Sequence, residues 1–251
     1  MLFAHGFGCD QNMWRFTAPA FEATHRTVLF DHVGCGRSDL SAYEPRRYAK
    51  LEGYADDVLD VVRALDLRDV VFVGHSVSSV IGLLAVIDEP ERFSQLILVG
   101  PSMRYVDDPP DYRGGFSRAD IEGLLDVMAK NYIGWASFLA PVVMKNAERP
   151  ELAAELQQSF CSTDPAVAQH FARATFLSDY RSILPDVTVP SLILQCADDA
   201  IAPDEVGAYV HRHLAGSTLH RLRATGHCPH MSHPDETIAA IRDYLSRTRE
   251  A

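Results

Sequence analysis

The chain of 251 residues is 47% hydrophobic, carries a formal net charge of −11 and contains five cysteines. That length and apolar content can bury one large core, while the acidic balance repels phosphate backbones and argues against a nucleic-acid partner. It has neither an apolar run of about eighteen residues nor a charged leader with a cleavage site. Cys9, Cys35, Cys161, Cys196 and Cys228 are odd in number and scattered, so the expected setting is the cytoplasm, away from membranes and with reduced thiols.

In chain order, the first expected strand covers residues 1–4 and runs into His5-Gly6-Phe7-Gly8, where the two glycines let the backbone turn without a Cβ penalty. A second strand is expected at 27–31. Tyr54, Val58, Val61, Val62 and Leu65 then recur at helical spacing, with Asp56, Asp57 and Asp60 on the solvated face. The third strand, 70–73, drives into Gly74-His75-Ser76-Val77-Ser78 and a small-residue helix. Strand, Gly-x-Ser turn and helix form the layout of a nucleophile elbow, which makes Ser76 the candidate nucleophile, although Ser78 stands where the pattern usually has a second glycine. A fourth strand is expected at 96–99.

From about residue 101 to 185 the strand pattern gives way to helices. Leu124, Leu125, Val127, Met128, Tyr132, Trp135, Ala136, Phe138 and Leu139 put apolar side chains on more than one helical face, as in a helix that is buried or lines a cavity. An enclosed apolar pocket above Ser76 is expected, with Trp135, Phe138, Val142 and Phe176 as its lining. Strands resume at 191–195 and 218–222. The alternation of strands and helices implies a mostly parallel sheet with helices on both faces, formed by residues 1–100 and 186–251, with 101–185 as an inserted helical cap.

A serine nucleophile needs a base, an acid and an oxyanion hole. Asp198 and Asp199 follow the fifth strand, and Gly226-His227 follows the sixth. Serine, then aspartate, then histidine is the chain order of the α/β-hydrolase triad. The run Cys228-Pro-His230-Met-Ser-His233 also invites a metal reading. No partner pair stands elsewhere at zinc-like spacing and prolines interrupt the run, so no metal or other cofactor is expected, and His230 and His233 are assigned to hydrogen bonding within the loop or capping of the last helix. Oxyanion donors are expected at the N–H groups of Val77, next to the nucleophile, and Phe7, after the first strand.

Taken together, His5-Gly-Phe-Gly-Cys-Asp-Gln-Asn-Met-Trp14, Asp31-His-Val-Gly-Cys-Gly-Arg-Ser-Asp39, the Ser76 turn and the 226–234 tail resemble the RsbQ-type α/β-hydrolases. These bacterial energy-stress regulators are similar to the plant strigolactone and karrikin receptor hydrolases. The resemblance, which runs from about residue 5 to 244, implies Ser76, Asp199 and His227 as the triad, with Asp198 as the alternative acid, and Phe7 and Val77 as the oxyanion hole. It further implies hydrolysis of a small hydrophobic ester or lactone, or slow hydrolysis that reports ligand binding to a PAS-containing serine/threonine phosphatase. Family members place two strands before the His-Gly motif, so an exposed sheet edge is expected here.

Overall fold

Long apolar runs are what strands covered on both faces require. Six strands align in a single sheet, the four central ones on such runs: β1 (Leu2–Ala4), β2 (Val28–Leu29), β3 (Val70–His75), β4 (Phe93–Val99), β5 (Ser191–Asp198) and β6 (Ser217–Thr225). The structure is a computed structural model and describes residues 1–249. Among these residues the sheet order is β2-β1-β3-β4-β5-β6, and every neighbouring pair is parallel. All of β1 and β3 and most of β4 and β5 are buried, whereas β2 is half-buried and β6 largely exposed, as suits the two edges.

The connectivity decides where a ligand can bind. From β1 the chain moves outward to β2, then returns past β1 to lay β3 on its other side and continues away through β4, β5 and β6. The order therefore reverses between β1 and β3. Outside the carboxyl ends of the strands at such a switch point, the departing loops separate and leave a crevice. His5-Gly6-Phe7 follows β1 and Ser76 follows β3, so both expected motifs open onto that crevice.

Helix α1 (Glu52–Ala64) covers the stretch of helical spacing, burying Tyr54, Val58 and Val62, and packs on α2 (Val77–Asp88). Helix α7 (Asp204–His213) follows β5, and α8 (Pro229–Ser232) and α9 (Pro234–Arg249) follow β6. Between β4 and β5 lie α3 (Arg118–Lys130), α4 (Tyr132–Met144), α5 (Pro150–Ser162) and α6 (Pro165–Phe176). Their starts are encoded locally. Ser117 and Asp120 form a capping box on α3, the Asn131 side chain accepts from Gly134 N–H, and Asp164 accepts from Ala166 and Val167 N–H ahead of α6.

Helix α4 corrects three of the expected pocket residues. It buries Trp135, Ala136, Leu139, Ala140, Val143 and Met144, a stripe at i, i+4 and i+8. Phe138 and Val142 fall on the far side of the helix and are 67% and 38% exposed. Trp135 is buried against Tyr132 and Phe160 and, edge-on, Phe7. None of the three is among the residues lining the cavity beside Ser76.

Candidate active site

At the end of β3 the chain turns sharply at Ser76, whose φ of 56° and ψ of −121° form a conformation that costs an L-residue roughly 1–3 kcal/mol. Neighbouring strands enforce it: Ser76 N–H donates to Val99 O at the end of β4 (2.8 Å), and Ser79 N–H donates back to Ser76 O (2.9 Å). The turn is so tight that a Cβ at position 74 would lie 2.5 Å from the Ser78 carbonyl oxygen, which explains Gly74. The second customary glycine is not needed, because the Ser78 side chain has a place of its own. Its hydroxyl donates to His5 O (2.5 Å) and accepts from His32 Nε2 (2.8 Å), tying the loop after β1 to the elbow. One proton cannot serve both partners, so His32 is assigned as the Nε2–H tautomer.

The structure brings Ser76, His227 and Asp199 together. His227 Nε2 lies 2.8 Å from Ser76 Oγ, and its Nδ1 lies 2.7 Å from Asp199 Oδ2. A carboxylate only accepts, so Nδ1 carries the proton and Nε2 presents a lone pair to the serine hydroxyl. Asp199 is held by its other oxygen, Oδ1, which accepts from Ile201 N–H (2.8 Å) and Ala202 N–H (3.0 Å). Buried Gln195 on β5 fixes the same loop by donating to Ala202 O (2.8 Å). These contacts separate the two aspartates. The side chain of Asp199 is 0% exposed against the imidazole, whereas that of Asp198 is 63% exposed and pairs with Lys145.

His227 itself is gripped through its backbone. Its N–H donates to Val143 O at the end of α4 (2.8 Å), and its carbonyl accepts from His75 Nε2–H (2.8 Å). Gly226 makes the approach to α4 possible, since it has φ 82° and a Cβ there would lie 2.2 Å from Met144 O. Gly226→Ala is therefore expected to cost about 2 kcal/mol or more of stability and to lower ester turnover with it. Urea unfolding and initial rates check this, and a variant of wild-type stability would contradict it.

Beside the triad is a cavity of about 30 Å³ lined mainly by apolar groups, among them Phe7, Leu139, Val143, Phe160, Phe176 and Ile201. Phe7 packs edge-on against Phe176 and Phe171. Val77 opens α2, so its N–H belongs to the first turn, where no carbonyl four residues earlier can accept it.

Tyr105 was missed by sequence reasoning. Its hydroxyl is 3.4 Å from Ser76 Oγ, and it is buried against Phe176. Burial pushes the phenol pKa well up, so the group stays a neutral donor beside Ser76. Its position just beyond the carboxyl end of β4 was the available signal. His230 corrects another expectation: neither ring nitrogen has a hydrogen-bond partner, and the ring packs between Trp14 and His75. His233 does bond within the loop, to Ser232 Oγ (2.9 Å). Among the described residues, no group of three or more His, Cys, Asp or Glu is placed to hold a metal, and no helix is long and apolar enough to cross a membrane.

A parallel sheet with a strained serine at its switch point, an imidazole hydrogen-bonded to that serine and a buried carboxylate behind the imidazole define a hydrolase of the α/β class. The chain belongs to the alpha/beta hydrolase family, whose model matches residues 1–240. It is 37% identical to the strigolactone esterase RMS3 of Pisum sativum, over 98% of this chain and 92% of that protein. With the karrikin insensitive 2 receptor CA of Petunia hybrida it shares 35% identity, over 98% and 91%. A solved hydrolase from Oleispira antarctica superposes with a TM-score of 0.95 at 48% identity, covering 98% of this chain and 90% of that one.

Proposed function

We propose that this protein is a serine esterase that hydrolyses small hydrophobic esters or lactones through Ser76, His227 and Asp199. The observation carrying this reading is the 2.8 Å contact between His227 Nε2 and Ser76 Oγ at an apolar cavity. His227 takes the hydroxyl proton as Ser76 attacks the carbonyl, and Asp199 holds the imidazole in the required tautomer and stabilises its cation. The N–H groups of Phe7 and Val77 bind the oxyanion, each contributing on the order of 3 kcal/mol to the transition state. His227 returns the proton to the leaving alcohol, then activates the water that releases the acid. We assign residues 101–185 to a cap: Leu139, Val143, Phe160 and Phe176, from the helices between β4 and β5, close the cavity over Ser76.

Reaction with a fluorophosphonate followed by peptide mass analysis tests the assignment. Modification on Ser76 supports it, and modification elsewhere, or none, refutes it. The cavity at Ser76 is narrow. p-Nitrophenyl acetate is therefore expected to be hydrolysed at least about tenfold faster, in kcat/KM, than the decanoate. Equal rates would show that the cavity does not select the acyl group.

The receptor-type relative favours a second reading, in which slow turnover or binding of a hydrophobic ligand signals to a partner. By the RsbQ-type resemblance that partner is a PAS-containing serine/threonine phosphatase and the role is stress regulation in the cytoplasm, a setting that five free cysteines suit. Ligand-dependent co-purification with such a phosphatase supports this role, and ligand-independent behaviour opposes it.

A further inference from the structure

The turn between α4 and α5 contains two successive non-glycine residues in the left-handed region, Lys145 and Asn146, each with φ 50°. Such a conformation persists only where its surroundings hold it. Here the surroundings are the loop that carries His227. Asn146 Nδ2 donates to Met144 O (2.8 Å), at the end of α4, and to Thr225 O (3.0 Å), two residues before the histidine. Arg149 donates to Asn146 Oδ1 (3.0 Å) and to Ser232 O (2.7 Å), five residues beyond it. Between these ends His227 N–H donates to Val143 O (2.8 Å), and Lys145 pairs with Asp198, next to the triad acid (2.5 Å).

From this bracketing we infer that Asn146 and Arg149 are positioning residues that clamp the 225–232 loop and hold His227 between Ser76 and Asp199. The inference rests on the esterase reading for its kinetic consequence. Neither side chain lines the cavity at Ser76, so both act on geometry and not on substrate binding. Asn146 suits the task chemically. It tolerates a positive φ, and its amide group supplies two donors and an acceptor, all three of them used on the clamp. A misplacement of about 1 Å in a catalytic group costs on the order of a hundredfold in rate.

Asn146→Gly keeps the backbone conformation and deletes the clamp. We expect kcat for p-nitrophenyl acetate to fall about 30- to 100-fold with KM within about twofold, and phosphonylation of Ser76 to slow in parallel. Arg149→Lys retains the charge but not the fork that reaches two acceptors, and loses less. Ser117→Ala, which removes the α3 capping box away from this loop, serves as the control for plain destabilisation and keeps its kcat. An Asn146→Gly kcat within threefold of wild type, or an equal fall in Ser117→Ala, overturns the clamp. A readout independent of turnover is the downfield proton resonance of His227 Nδ1–H shared with Asp199. It should broaden or vanish in Asn146→Gly, and an unchanged resonance also overturns the clamp. Wild type that neither hydrolyses the ester nor reacts with the fluorophosphonate would refute the esterase reading, while the resonance still decides the clamp.

Discussion

Ser76→Ala is expected to lower ester turnover by about a million-fold while the protein stays folded. The size follows from how the groups act together. Without Oγ there is no nucleophile for His227 to activate, and what remains is binding and the oxyanion donors, which give about 10³–10⁴ over water. His227→Ala should cost a similar factor, and the double variant little more, because each single change already disables the unit. Asp199→Asn would leave the geometry but reverse the hydrogen-bond sense at Nδ1, for a loss of about 10⁴-fold. Stability provides a second readout. At φ 56° serine is strained, so Ser76→Gly should abolish activity and yet stabilise the fold by about 1 kcal/mol. Near-wild-type turnover in Ser76→Ala would remove Ser76 from the mechanism, and a less stable Ser76→Gly would contradict the strain.

Acid should unfold this protein from the weakly acidic range downward, because four histidines are buried in their neutral form. Desolvation is the main cause of the lowered pKa at His5, His32, His75 and His230. His5 also lowers that of His32, and His230 and His227 that of His75. His227 and Arg15 help to bring His230 to about 3, whereas the hydrogen bond to Gly6 O, then Asp31 and Asp10, partly oppose the shift at His5. In the unfolded chain these rings titrate near 6.5. Below that pH the unfolded state binds more protons than the folded one, so stability is fully present above about 6.5 and is lost as pH falls towards the folded values. Each ring contributes up to about 1.4 kcal/mol per pH unit, so a few of them exhaust a stability of about 5–15 kcal/mol within a few units. Urea midpoints at pH 8, 6 and 5 should decline steadily, and His230→Phe, which keeps a ring between Trp14 and His75, should reduce the slope by up to one proton. A midpoint that stays level down to pH 4.5 would show that these rings are accessible or paired.

The course of the chain was legible wherever the signal is local. Each of the six strands lies within about three residues of the segment expected for it, and β1, β3, β4 and β5 were the plainest, because a strand buried on both faces leaves an unbroken apolar run in the sequence. The elbow was legible because strand, Gly74 and Ser76 are consecutive, and α1 because its apolar stripe repeats within one helix. The clamp through Asn146 and Arg149 was not, since it joins residues about 80 positions apart. The expected pocket lining misled for a related reason. An α4 apolar on nearly every face has no periodicity to say which side turns inward, so its rotation comes from packing against α3 and α5, and Phe138 and Val142 turn outward.

What the sequence determined by itself is therefore the parallel sheet and the serine turn, both encoded by neighbours along the chain. The tertiary structure alone decided that Tyr105 stands beside Ser76, and that Ser78 replaces a glycine by bonding His5 and His32. Those outcomes depend on where separate loops converge at the switch point of the sheet, a relation between distant segments that composition and spacing do not carry.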